Sequence, residues 1–149
     1  ICVSMGYPTV EEEMEIMRRS QATDRTAGII PVLDAPGLAD MIREARGVYM
    51  HERICRYIAE LAKATRENEW TELGLSPRGT VALTAMAKAY AYLKNRVYVV
   101  PSDVEEVFPC VAAHRIILNM KAKVAHVKVE ETVRRILENT EKPALKTRR

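Results

Sequence analysis

The stretch Gly74-Leu75-Ser76-Pro77-Arg78-Gly79-Thr80 dictates where one helix of this chain must begin. Ser76 is a good N-cap, because its hydroxyl can accept a bond from an orphan backbone N–H of the first turn. Pro77 then falls at the first helical position, where its missing N–H costs nothing and its fixed φ already suits the helix. Arg78 follows inside the first turn. That end of a helix carries a partial positive charge, so a cation there is disfavoured by roughly 0.3–1 kcal/mol. The same end attracts anions. A bound phosphate would offset the mismatch and offer the guanidinium a bidentate partner. The local sequence leaves two readings open: an anion cradle, or a surface arginine that reaches a nearby carboxylate.

Around this start, apolar spacing predicts a mostly helical chain. A helix over 11–19 has acids at its start (Glu11, Glu12, Glu13), Arg18 and Arg19 at its end, and an apolar stripe of Val10, Met14 and Met17. Residues 20–35 read as a long connection, with 29–33 as a short extended piece. Asp34-Ala35-Pro36 opens a second helix with Leu38, Met41 and Ile42 inward and Gly47 at its end. Residues 48–50 read as extended. A third helix over 51–66 carries the stripe Ile54, Tyr57, Ile58, Leu61 and Thr65. Residues 68–74 read as a loop holding the single Trp70. The fourth helix, 77–93, has an Ala82, Ala85, Ala89 face for close approach and Met86, Tyr90 and Leu93 for bulk.

Asn95-Arg96 turns the chain, and 97–100 is a β-rich run. Ser102-Asp103-Val104-Glu105 has the form of a capping box. It opens a fifth helix bearing Val104, Val107, Phe108 and Val111, which Pro109 should kink or divide. Residues 119–127 read as irregular. A last helix over 129–139 presents Val129, Val133, Ile136 and Leu137. The fold class expected is mainly α, a small helical bundle with one or two short β-strands.

Several function classes fall away on composition and motif. With 149 residues, 48% hydrophobic and 29% charged, the chain can bury one ordinary core. No apolar run approaches the roughly 18 residues of a membrane span. The net charge is +3, but Lys142, Lys146, Arg148 and Arg149 supply four cations in the last eight residues; without them the body is at −1. That argues against a nucleic-acid surface, and no segment clusters Arg, Lys, Asn or Gln on one helix face. Three cysteines cannot pair completely. Cys55 and Cys110 sit among apolar helical neighbours and read as free buried thiols in a reducing, cytoplasmic setting. His51, His114 and His126 are scattered without zinc-ligand spacing, so no metal site is expected.

GxxxxGK[ST], an apolar run ending in Asp-Glu, GxSxG and HExxH are all missing from the sequence. The carboxylate runs at Glu11–Glu13, Glu105-Glu106 and Glu130-Glu131 read as solvated helix faces. Met14, Met17, Met41, Met86, Tyr57 and Tyr90 lie at core spacing. Tyr7 sits beside Pro8 in a hinge-like turn, where it could pack on a base or on the domain itself.

Gly6-Tyr7-Pro8 followed by the acidic helix, Tyr57-Ile58 through Ala64-Thr65-Arg66, Ser76-Pro77-Arg78, Val97-Tyr98-Val99 with Pro101-Ser102-Asp103-Val104, and His114-Arg115-Ile116 stand in this order. In that order and spacing the chain resembles the C-terminal part of MoxR-type AAA+ ATPases, over nearly its whole length. The resemblance implies a lid, the small helical subdomain that follows the P-loop core. It implies that Arg78 is the sensor 2 arginine, which contacts the nucleotide γ-phosphate, and that Tyr7 and Pro8 of the core-to-lid connection lie near the adenine. His114 and Arg115 match the family's His-Arg pair, with no ligand role assigned. Two positions depart from the pattern. Many relatives have a small residue where Leu75 stands and Ala where Gly79 stands. Glycine there lowers helix propensity by about 1 kcal/mol relative to Ala, which would loosen Arg78.

On this resemblance residues 1–8 are the end of the AAA+ core and the connection, 9–141 the helical lid, and 142–149 a disordered basic tail. The chain opens on Ile1 rather than Met, as a piece cut from a longer protein would. The parent is expected to be an ATPase using ATP and Mg2+ for chaperone-like remodelling or maturation of partner proteins. The piece alone should be neither catalytic nor a tight nucleotide binder. Implied partners are the AAA+ core of the same chain, neighbouring subunits in a ring, often a hexamer, and proteins with von Willebrand factor A domains. The alternatives are a helical DNA-binding or regulatory module and a purely structural adaptor.

Overall fold

Four helices share one apolar interior. In the computed structural model, which describes residues 1–20 and 29–144, the helices are α1 (Val10–Ser20), α2 (Ala35–Gly47), α3 (Glu52–Glu67), α4 (Pro77–Leu93), α5 (Pro101–Ala112), α6 (Met120–Val124) and α7 (Val129–Asn139). Strands β1 (Thr71–Leu73) and β2 (Ile117–Leu118) form a small antiparallel sheet, and Ala113–Arg115 is a 3-10 turn. The architecture is the mainly α bundle that the apolar spacing predicts.

The α3 stripe is buried as expected, with Ile54, Tyr57, Ile58, Leu61 and Thr65 all at 1% exposure or less. It meets Leu83, Ala87 and Ala91 of α4, Val104, Phe108 and Val111 of α5, and Val133 and Ile136 of α7 in one cluster. The deep line of α4 is Gly79, Leu83, Ala87 and Ala91, an i, i+4 row. The expected Ala82, Ala85, Ala89 face lies to its side, with Ala85 exposed and Leu93 exposed. Alanine occurs all round this helix, so the sequence does not reveal which small residues face the neighbours.

Other local expectations change with the three-dimensional context. Residues 71–73 are a strand rather than loop, paired with the still shorter 117–118; Asn119 locks the junction, its N–H bonding the Trp70 carbonyl at 3.0 Å and its Nδ2 the Glu69 carbonyl at 2.7 Å. Among the described residues the run 97–100 makes a single parallel bridge, Tyr98 to Tyr49. Helix α5 starts earlier than Ser102: Val100 is the N-cap, and the Asp103 carboxylate accepts the Val100 N–H at 2.8 Å. Asp103 is buried and takes both terminal nitrogens of Arg96, Nη1 at 2.7 Å. That fork draws the Asn95-Arg96 turn onto the start of α5, and the same hydrogen bond raises the Arg96 pKa further. Pro109 does not divide α5, which runs on to Ala112 before tightening into the 3-10 turn. Within the irregular region, Asn119 caps α6 by accepting the Ala122 N–H at 3.0 Å.

Three burial expectations fail. Val10, Met14 and Met17 of α1, and Leu38 and Ile42 of α2, are exposed. A periodic stripe reveals that a helix face is apolar, not what covers it, and nothing among the described residues covers these. Cys55 is exposed and Cys110 half-buried, so neither is a core thiol. Residues 29–33 form no strand. The middle of the 20–35 connection and residues 145–149 of the expected tail lie outside the described residues.

Tyr57 is buried at 1% exposure, and its hydroxyl has no hydrogen-bond partner among the described residues. Burial, with the Glu105 carboxylate adding to it, pushes its pKa up to about 12. A buried polar group left unpaired carries its full desolvation penalty, about 1–3 kcal/mol. Tyr57→Phe should therefore hold or raise stability, by up to about 1 kcal/mol in urea unfolding. A loss larger than that would mean the hydroxyl is bonded in solution.

Candidate functional site

The start of α4 is held in place from behind by the last turn of α3. Thr65 reads as part of the α3 stripe, but its hydroxyl also reaches beyond that helix. Oγ1 donates to the Ala62 carbonyl at 2.7 Å and accepts the Leu75 N–H at 2.8 Å. Arg66 Nε donates to the Leu75 carbonyl at 2.7 Å. Both backbone groups of Leu75 are thus fixed to α3. The approach is close enough to require glycine at 74, where a Cβ would lie 2.7 Å from the backbone of Thr65 and Arg66.

From this anchor the cap forms as the sequence predicts. Ser76 Oγ accepts the Gly79 N–H at 3.2 Å, and Pro77 is the first helical residue. The Ser76 carbonyl accepts the Thr80 N–H at 3.0 Å. Pro77 has no N–H, so of these first-turn amides only that of Arg78 is without a partner among the described residues. The helix end itself therefore has one amide to offer an anion. The cationic side chains must do the rest.

Leu75 is fully buried and fills the space beside Gly79. A methyl added at Gly79 would stand 2.4 Å from Leu75 Cδ1, 2.9 Å from Leu75 Cγ and 3.4 Å from Arg115 Cδ. The leucine packs over the glycine at this helix start. Leu75 and Gly79 form one contact, a large residue opposite a missing side chain.

The result is a surface cleft of about 500 Å3 lined by Arg66, Leu73, Gly74, Leu75, Ser76, Pro77, Arg78, Gly79, Ala82 and Arg115. Among the described residues, three arginines line it and no acid does. Arg78 is exposed and makes no hydrogen bond or ion pair among the described residues, so the carboxylate-bound reading of this side chain is not what the structure holds. Arg115 donates from Nη1 to the Val111 carbonyl and to His114 Nε2. Since a guanidinium cannot accept, the His114 ring accepts through an unprotonated Nε2. Its pKa is accordingly lowered, by desolvation first and the Arg115 charge second.

Tyr7 and Pro8 lie elsewhere. Tyr7 is fully exposed, and both line a separate cleft of about 530 Å3 with Glu12, Glu15 and Arg19. Gly6 takes a left-handed φ of 71° at this turn. The structure thus brings Arg66 and Arg115 to Arg78 and does not bring Tyr7 or Pro8 there. The local sequence contains no signal for that grouping, since residues 66, 78 and 115 meet only through the packing of α3, α4 and the 3-10 turn.

Residues 63–136 match the AAA lid domain family. The chain is 33% identical over 139 residues to the Bacillus subtilis (strain 168) protein YeaC, covering 93% of this chain and 43% of that protein. It is 31% identical over 150 residues to the chaperone MoxR1 of Mycobacterium tuberculosis (strain ATCC 25618 / H37Rv), covering 95% and 39%. A solved Cytophaga hutchinsonii ATCC 33406 structure, put forward as an ATPase, superposes with a TM-score of 0.80 at 29% identity over 94% of this chain and 45% of that one. The chain spans less than half the length of the curated relatives it matches.

The Leu75–Gly79 contact makes a double-mutant cycle informative. Gly79→Ala alone should cost about 1–2 kcal/mol, the overpacking being partly offset by better helix propensity. Leu75→Ala alone should cost about 2–5 kcal/mol for the cavity it leaves. The double variant should lose less than the sum by about 1 kcal/mol. Simple additivity in thermal or urea unfolding would show that the two side chains do not share this space. His114 gives a pH test. Its folded pKa lies below the unfolded value, so the unfolded chain takes up the proton first as pH falls from about 6.5. Stability should drop over that window, and His114→Gln should flatten the drop in a Tm-versus-pH series.

Proposed function

Because the chain belongs to the MoxR-type AAA lid family, we propose that it closes over ATP bound by a P-loop core and supplies Arg78 as the sensor 2 arginine. The observation that carries this reading is an exposed, unpartnered cation at the start of α4, in a cleft that three arginines line and no carboxylate does. A cation in the first turn is opposed by the helix dipole. Arriving phosphate oxygens would relieve both that mismatch and the mutual repulsion of the arginines.

The cleft suits phosphate and not a divalent cation, which asks for carboxylate or carbonyl oxygens. Mg2+ in this reading travels with the nucleotide on the rest of the protein. Charge developing on the terminal phosphoryl group is where a positioned arginine acts. In related machines such a group is worth about 10^3–10^5 in rate. The exposed apolar residues of α1 and α2 (Val10, Met14, Met17, Leu38 and Ile42) would meet the core or a neighbouring subunit in a ring. ATP-driven remodelling or maturation of partner proteins, those with von Willebrand factor A domains among them, is the output of the whole protein. In this reading Tyr7 and Pro8 form the connection from core to lid and reach the adenine only when the core is in place, which fits their position in a cleft of their own. Residues 1–8 are then core and connection, 9–141 the lid and 142–149 a basic tail.

Arg78→Ala in the full-length protein should cut ATP turnover at least about tenfold. Arg78 is exposed and unpartnered, so Tm should move by no more than about 2 °C. Turnover within about twofold of the parent, with an intact fold, would remove the sensor 2 assignment.

A further inference from the structure

Arg78 does not line its cleft alone, and the other two guanidiniums come from different parts of the chain. Arg66 stands at the end of α3 and Arg115 ends the 3-10 turn after α5. Arg66 commits Nε to the Leu75 carbonyl and keeps both terminal nitrogens without a partner among the described residues. Arg115 commits Nη1 and keeps Nη2 and Nε. None of the three has a carboxylate partner among the described residues, although the chain pairs other cations freely: Arg43 with Asp40, Arg135 with Glu131, Arg96 with Asp103. Like charges gathered around one cleft repel, and the cost rises where water is partly excluded. Folding tolerates this grouping because Leu75, Gly74 and Gly79 impose it.

Gly79 bears on Arg115 directly. The Arg115 stem crosses the first turn of α4 where a β-carbon on residue 79 would be 3.4 Å from its Cδ. His114 and the Val111 carbonyl then hold one side of the guanidinium. Arg115, which lines the cleft, is thus held at Nη1 and packed along its stem, unlike the unpartnered Arg78.

We propose that Arg115 is a second ligand-contacting arginine of this cleft, so that the site grips a chain of two or more phosphates between Arg115 and Arg78, with Arg66 as the third cation of its wall. The proposal rests on the reading of the cleft as a phosphate site and extends it to a residue that reading does not use. Two guanidiniums on one cleft favour a ligand that carries several phosphoryl groups, because each fork can then take its own group and the ligand brings more charge than orthophosphate. Arg115, already held by Val111 and His114, sets the position of one group, and the freer Arg78 adjusts to the other.

The test follows arginine Nε–Hε resonances of the chain by NMR during titration with inorganic triphosphate, and separately with orthophosphate. Arg78 and Arg115 should move on one binding curve, with a midpoint about tenfold lower for triphosphate than for orthophosphate. Arg43, already paired with Asp40, should stay still. Arg115→Gln should weaken triphosphate binding about fivefold or more, and Arg115→Lys, which keeps the stem and the charge, should fall between. Arg78 moving without Arg115 would overturn the proposal and leave the sensor 2 reading standing. Arg115 moving without Arg78 would overturn it too, and would count against the sensor 2 reading as well. Equal midpoints for the two anions, or Arg43 moving with the others, would reduce the effect to general ionic attraction and overturn the proposal.

Discussion

Both hydrogen-bonding groups of the Leu75 backbone end on the last turn of α3, and the placement of the candidate site follows from that. The amide goes to the Thr65 hydroxyl and the carbonyl to Arg66 Nε. With its backbone fixed there, Leu75 turns its side chain inward, and Ser76 is left one residue on, at the position where a cap is needed. The direction of α4 is thus set by α3 before any packing along its length. A threonine in a core stripe usually satisfies its hydroxyl on its own helix. Thr65 does that with the Ala62 carbonyl and still has a lone pair for the next element. One side chain therefore carries information from core to surface.

The size exchange between Leu75 and Gly79 has a consequence for electrostatics as well as packing. Glycine in a helix interior weakens it by about 1 kcal/mol relative to alanine. Here the lost side chain leaves room for the leucine above and for the aliphatic stem of Arg115 beside it. Long charged side chains cover apolar surface with their stems and keep the charged head wet. Arg115 does this across the first turn of α4, and a second guanidinium thereby arrives at a cleft that already holds one. Packing volume and charge placement are coupled through a single missing methyl group.

How much of this was legible in the chain depends on how local its cause is. Ser76-Pro77 specified a helix start to the residue, because capping is decided within four residues. The α3 stripe was legible because Ile54, Tyr57, Ile58 and Leu61 are large and flanked by charges. The phase of α4 was not, because its alanines are spread around the axis. Strands of three and two residues, β1 and β2, exist only because residue 71 meets residue 118, and nothing near either position announces the other. Val100 rather than Ser102 caps α5 because the Asp103 carboxylate is drawn to Arg96 and the Val100 amide together, a preference that Ser102 cannot match with one hydroxyl. The stripes of α1 and α2 show the opposite failure: their pattern is clear, yet nothing among the described residues covers the faces it describes. Within the site, Arg78 was legible from its clash with the helix dipole. Arg66 and Arg115 were not, since their grouping is a property of the tertiary fold.

The three arginines also explain why the site and the core follow different rules. In the interior, charge is balanced pair by pair: Asp103 is buried only because Arg96 takes both its oxygens, and an unpaired carboxylate there would be strongly destabilising. At the α4 start the balance is withheld. Among the described residues each guanidinium satisfies a backbone carbonyl, the His114 ring or nothing, and no acid lines the cleft. Repulsion among partly hydrated cations is worth on the order of 1 kcal/mol per close pair, small enough for a bundle with a continuous four-helix core to carry. On the proposed reading that repulsion would disappear when a polyanion enters, and the free energy stored against folding would be returned on binding. On that reading a surface acid substituted into this wall would make the lid more stable and the cleft less selective for the polyanion.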